Sequence, residues 1–149
     1  MSAHFHRLSL ITLTAILPAT AASAQTYRVL AVTGETAPGT NTTLDNLGGA
    51  RINDVGQVAF FGELVNGDSV LYRSVYDDPA TLELVMRSGD DIPNGPQNAT
   101  FNEGRYLRLN DAGNLAFWSK IDGVAGDFPT GIFRFRDDVL ETVAMTGWQ

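Results

Sequence analysis

An all-β protein built from tandem four-stranded antiparallel units is the fold class that three features of the sequence predict. A ten-residue stretch occurs twice, 57 positions apart. Short segments alternate apolar and polar residues with no helical period, and Gly, Pro, Asn, Asp and Thr gather between them. A fixed period marks a supersecondary unit that buries its apolar face against a neighbouring copy.

Residues 1–24 read as a signal peptide. Arg7 supplies the positive charge, Leu8 to Leu17 is an apolar run of ten, and Ala22-Ser23-Ala24 is a small-residue cleavage site before Gln25. Ten apolar residues cover only about half of the roughly twenty needed to span a bilayer, which favours a leader over an anchor. No second run of spanning length follows. The predicted location is therefore secreted, cell-surface or periplasmic.

The region 25–149 is predicted to hold the tandem β-repeats, with units at about 50–87 and 105–145. Tyr27 to Val32 resembles the fourth strand of a unit standing alone. Gly34 to Gly48 and Gly89 to Gly104 read as loops between units. Strands are expected at Ala50 to Asn53, Gln57 to Leu64, Ser69 to Val75 and Leu82 to Arg87. Their counterparts are Arg105 to Asn110, Asn114 to Ile121, Gly131 to Arg136 and Leu140 to Met145. Alternation supports the assignment: Val58, Phe60 and Leu64 oppose Phe61 and Glu63, and Leu115, Phe117 and Ile121 oppose Trp118 and Lys120.

The duplicated stretch runs from Arg51 to Phe60 and from Arg108 to Phe117. Its Asn-Asp-x-Gly step suits a hairpin tip. The Asn side chain accepts the backbone N–H two residues on, Asp and its neighbour take the turn, and Gly occupies the left-handed conformation that a Cβ disfavours. The motif residues Asn53, Asp54, Gly56, Ala59 and Phe60, with Asn110, Asp111, Gly113, Ala116 and Phe117, are therefore assigned an architectural role. A Ca²⁺ or sugar site at the Asn and Asp pairs is the competing reading, and the spaced ligand set of an EF-hand loop is absent. A second motif recurs at Gly34, Gly89 and Gly147, and its last copy, a third unit predicted to be truncated, stops two residues after the glycine.

The pattern Asn53-x-x-Gly56-x-x-Ala59-Phe60, repeated as Asn110-x-x-Gly113-x-x-Ala116-Phe117, resembles the signature of the choice-of-anchor tandem repeat, NxxGxxAF-containing family. The resemblance covers essentially all of residues 27–149 and implies an exported, surface-directed repeat protein of unknown activity. That family usually carries more repeats and a C-terminal sorting segment; this sequence shows two full units and no such segment, which predicts either a truncated gene product or a lost anchor, and the halt at Gly147-Trp148-Gln149 within a motif favours truncation. Four-stranded antiparallel units joined by longer loops suggest a β-propeller-like fragment. The alternative is a small open β-meander or sandwich.

Composition limits the chemistry. Residues 25–149 hold nine basic and 17 acidic groups, a net charge of −8, with no His, no Cys and one lysine, Lys120. That balance excludes a phosphate-neutralising nucleic-acid surface, and the missing residue types exclude imidazole- or thiol-based nucleophilic catalysis and metal sites. The carboxylate clusters that break the repeat are Asp77-Asp78, Asp90-Asp91, the Asp122 to Asp127 loop and Asp137-Asp138. They are candidates for Ca²⁺ or for paired-carboxylate glycoside chemistry, against the expectation of solvated surface acids. The aromatics Phe61, Tyr72, Tyr106, Trp118, Phe128, Phe133 and Phe135 form either a ligand platform or packing between units, and their recurrence favours packing. Arg51, Arg108, Arg73 and Arg134 are expected to pair with carboxylates at unit seams.

The combined expectation is a non-enzymatic exported repeat protein that binds or scaffolds, with no cofactor. Its partner is a protein or glycan ligand, further repeats or another copy of itself. The alternative is a fragment of a propeller hydrolase or lyase that uses Asp/Glu pairs.

Overall fold

The computed structural model describes residues 28–75, 78 and 81–146. The signal-peptide residues, Tyr27, Asp77 and the Gly147 motif lie outside that set. The described residues contain eight strands and no helix.

The first sheet is a meander of β1 (Leu44–Ile52), β2 (Val58–Leu64), β3 (Ser69–Ser74) and β4 (Leu82–Arg87), each antiparallel to the next. The second sheet repeats that order with β5 (Thr100–Leu109), β6 (Leu115–Asp122), β7 (Thr130–Arg136) and β8 (Val139–Met145). Tight turns make the meanders. Between β7 and β8 only Asp137 and Asp138 intervene, with φ 50° and 59°. Two successive positive φ values define the type I′ turn whose twist matches that of paired strands.

The first strand of each sheet is longer than expected: β1 begins at Leu44 rather than Ala50, and β5 at Thr100 rather than Arg105. The last five residues of each span read as loop, 44–48 and 100–104, are therefore strand. The register shifts twice along each strand, at Leu44/Asn46 and Gly48/Arg51 in β1 and at Phe101/Gly104 and Arg105/Arg108 in β5. Bulges of this kind break the two-residue alternation and admit glycine inside a strand, so the sequence pattern there looks irregular. The expected lone strand also fails. Residues 28–32 are irregular, with Ala31 packed on the first sheet but no bridge to any strand.

The true loops, 34–43 and 89–99, are built alike. Gly34 N donates to Leu44 O at 2.7 Å and Leu44 N to Glu35 O at 2.9 Å, while Gly89 N donates to Phe101 O at 2.8 Å and Phe101 N to Asp90 O at 3.0 Å. Each loop plants an apolar side chain, Ala37 or Ile92, on its own sheet.

Two apolar clusters result. Phe60, Leu64, Val70 and Tyr72 on one face of the first sheet pack with Leu44 and Ala37. The opposite face presents Ala59, Phe61, Leu71 and Met86 to Phe117, Ile121, Phe133 and Phe135 of the second sheet. β5 carries the seam and touches all four strands of the first sheet. The sheets thus stack with unlike faces together: the Phe61 face of the first covers the Phe117 face of the second.

Candidate functional site

The duplicated motif is where the two sheets recognise each other. In each tip the Asn side chain accepts from the residue four positions on: Asn53 Oδ1 takes Gln57 N at 2.8 Å and Asn110 Oδ1 takes Asn114 N at 2.9 Å. The expected acceptance two residues on is corrected. The chain reverses between Asn and Gln/Asn, as the bonds Asn53 N to Gln57 O and Asn110 N to Asn114 O, both 3.1 Å, show, so the partner lies across the hairpin. Gly56 and Gly113 make the reversal at φ 83° and 76°.

The remaining polar atoms of the first tip reach the second. Asn53 Nδ2 donates to Asn110 O at 2.8 Å and to Gln57 Oε1 at 2.7 Å, and Asp54 N donates to Asp111 Oδ1 at 3.1 Å. Gln57 lies so close to Gly113 that a Cβ there would sit 2.9 Å from its Nε2. Asn53 is consequently buried and Asn110 exposed. Phe60 and Phe117 are both buried, but Ala59 is sealed in the seam while Ala116 faces solvent.

Arg73 reinforces this seam. Its Nε binds Glu83 within the first sheet at 2.6 Å, another nitrogen pairs with Asp138 of the second sheet, and its guanidinium carbon lies 4.4 Å from the Phe135 ring centre. Arg134, its counterpart, pairs with Glu141 of its own sheet. Arg51 and Arg108 correct the expectation of carboxylate partners at the seams: each donates to the carbonyl of the preceding residue, at 2.7 and 2.9 Å.

The carboxylate clusters do not converge: among the described residues, no group of three or more Asp, Glu, His or Cys side chains is placed to hold a metal ion. Asp90 Oδ2 accepts from Arg87 N at 2.9 Å, Asp122 Oδ2 from Asn102 Nδ2 at 2.8 Å and Asp78 Oδ2 from Thr81 Oγ1 at 2.6 Å. Asp137 and Asp138 are the type I′ turn. Apart from Asp138, which also pairs with Arg73 across the seam, these acids serve local turns and strand ends.

A polar groove of about 360 Å³ opens along the seam, lined by Asn46, Glu63, Ser69, Ser88, Asn102 and Glu103 among others. A hydrogen bond from Lys120 holds the Glu103 carboxyl below the usual range, against a partial burial penalty and with help from Arg105. A carboxylate held ionised in this way is not a proton donor at neutral pH. Asp68, in the turn between β2 and β3, is also lowered: burial opposes ionisation, but bonds from Asn66 and Arg87 and the Arg87 charge outweigh it. Burial pushes the Tyr72 hydroxyl up to about 12; it donates to Pro38 O at 2.7 Å.

The aromatics divide. Phe61, Tyr72, Phe133 and Phe135 are buried, with Phe61 edge-on to Phe117 at 6.3 Å. Trp118 is half-buried, meets Tyr106 edge-on at 6.1 Å, and shares the outer face of the second sheet with Ile132. Phe128 is exposed on a loop. Two seam residues escape a reading of the sequence: Gln57 and Gly104. The only sequence signals are mismatches between copies, Gln57 against Asn114 and Leu47 against Gly104.

No curated protein and no solved structure matches this chain. Residues 13–149 match a family model described as a family of unknown function (DUF7453), and the chain belongs to that family.

Proposed function

We propose that the chain is an exported, non-enzymatic repeat protein whose stacked, propeller-like units scaffold or bind at the cell surface or in the extracellular space. The observation that carries this reading is the tip-to-tip contact, in which the Asn53 side chain donates to Asn110 O and the Asp54 backbone N–H to Asp111 Oδ1. A motif so placed joins units. The resemblance to NxxGxxAF repeat proteins and the leader-like residues 1–24 support export.

Two measurements test it. Mass spectrometry of the protein recovered outside the cytoplasm is expected to find a chain beginning at Gln25; an uncleaved cytoplasmic chain overturns export. A panel of glycan and peptide substrates is expected to give no turnover. Hydrolysis abolished by Glu63→Gln or Glu103→Gln would establish the hydrolase alternative.

A further inference from the structure

Each sheet has a Phe60-type face and a Phe61-type face, and the chain uses only one pairing between them. The Phe61 face of the first sheet lies on the Phe117 face of the second. Moving 57 positions along the sequence takes Phe61 to Trp118 and takes Leu47, Val58 and Phe60 to Gly104, Leu115 and Phe117. The last three belong to the sheet on which Phe61 rests: Phe61 packs edge-on against Phe117, and a Cβ on Gly104 would overlap its ring.

The matching floor on the first sheet carries no second sheet among the described residues, only a loop and residues 28–31 packed over Phe60, which is 6% exposed. Val29, Leu30, Ala31, Leu47, Val58 and Phe60 help line a largely apolar groove of about 490 Å³, and Val29 is 77% exposed. The matching knob is also free of any described neighbour sheet. Trp118 stands half-buried on the outer face of the second sheet beside Ile132, which is 48% exposed. The polar fittings repeat as well. Asn110 occupies on its tip the position from which Asn53 donates across the seam, and Arg134 occupies that of Arg73.

We infer that a second copy of this chain covers the Trp118 face, seating Trp118 in the groove of its Val29–Phe60 floor and continuing the internal seam from molecule to molecule. The inference rests on the stacked-unit reading above and names the partner. The internal seam is its argument, because one chain carries both halves of a contact that it already makes once. Such a contact is heterologous, so each copy retains one free knob and one free groove, and the assembly closes into a ring or extends.

The test is sedimentation of the full chain from low-micromolar to several hundred micromolar concentration, with folding checked by circular dichroism. The native chain is expected to self-associate. Trp118→Arg and Val29→Asp each change a side chain outside the cores and are expected to weaken association roughly a hundredfold, as loss of a buried anchor does. An equimolar mixture of the two variants regains one intact seam and forms a one-to-one complex. A native chain that stays monomeric overturns the inference. So does association that Trp118→Arg abolishes while Val29→Asp leaves it untouched, because that describes like faces meeting. A folded monomer without turnover ends the inference and spares the scaffold reading; carboxylate-dependent turnover does the reverse.

Discussion

Phe60 and Phe117 occupy the same position in the same duplicated stretch, yet one lies under a loop and the other under a sheet. Their neighbours diverge further. Phe61 is sealed between sheets, whereas Trp118 looks outward; Ala59 has no exposed surface, whereas Ala116 is open. The first sheet thus carries a sheet on one face and a loop over part of the other, whereas the second carries a sheet on one face alone. Equal local sequence does not bring equal energetic weight, because burial depends on what lies across the face.

The sharpest way to break this comparison is to truncate the two equivalent aromatics. Phe61→Ala is expected to lose about 3–5 kcal/mol, a transfer and cavity cost together, while Trp118→Ala at concentrations that keep the chain monomeric costs about 1 kcal/mol or less. Urea denaturation measures both. Equal losses would show that the faces are not distinguished by burial.

Next in size is the close approach at Gly104. Gly104→Ala forces its Cβ into the Phe61 ring and Met86, with an expected cost of about 1–3 kcal/mol. Phe61→Leu in the same chain is expected to recover part of that loss, a non-additivity that a double-mutant cycle reads directly. Strict additivity would place the two residues out of contact.

The tips give a smaller difference. Asn53→Ala removes two bonds to Gln57 within its own tip and the bond to Asn110 across the seam, whereas Asn110→Ala removes the one to Asn114. At about 1 kcal/mol for each net hydrogen bond, Asn53→Ala is expected to cost about 2 kcal/mol more. Matching denaturation midpoints would remove the seam role of Asn53.

Titration separates the sheets most gently. Tyr72 has Phe133 as its counterpart, and only Tyr72 carries an ionisable hydroxyl. Between the ordinary value of 10.0 and about 12 the folded state holds the proton that the unfolded chain has lost, so stability falls as pH rises through that window. Tyr72→Phe is expected to remove this alkaline decline. At the acid end the lowered carboxyls of Asp68 and Glu103 act oppositely. Their contribution is present above the ordinary values of 3.8 and 4.5 and is lost as pH falls through the lower folded values. Thermal melts across pH check both limbs, and Asp68→Asn or Glu103→Gln should flatten the acid one.

How far these features are legible in the sequence depends on range. The strands β2, β3, β4, β6, β7 and β8 lie within about a residue of where alternation places them, since side-chain alternation is a local signal. β1 and β5 were obscured by their bulges, where Gly48 and Gly104 look like loop residues although they sit in paired strands. The carboxylate clusters looked like possible sites because adjacent aspartates in a sequence say nothing of their partners. Asp138 proves to bind Arg73, which is 65 positions away.

What the sequence determined by itself was the hairpin tip: Asn, a two-residue step and Gly suffice to reverse a strand, because the bonds and the positive φ involve only neighbours in the chain. What only the tertiary structure decided was which face of each sheet is spent. Asn53 and Asn110 have the same local instructions, and the difference between a buried seam donor and an exposed one arises from the second sheet lying over the first tip. Burial and hydrogen-bond satisfaction across a seam are properties of the pair, and neither copy encodes them alone.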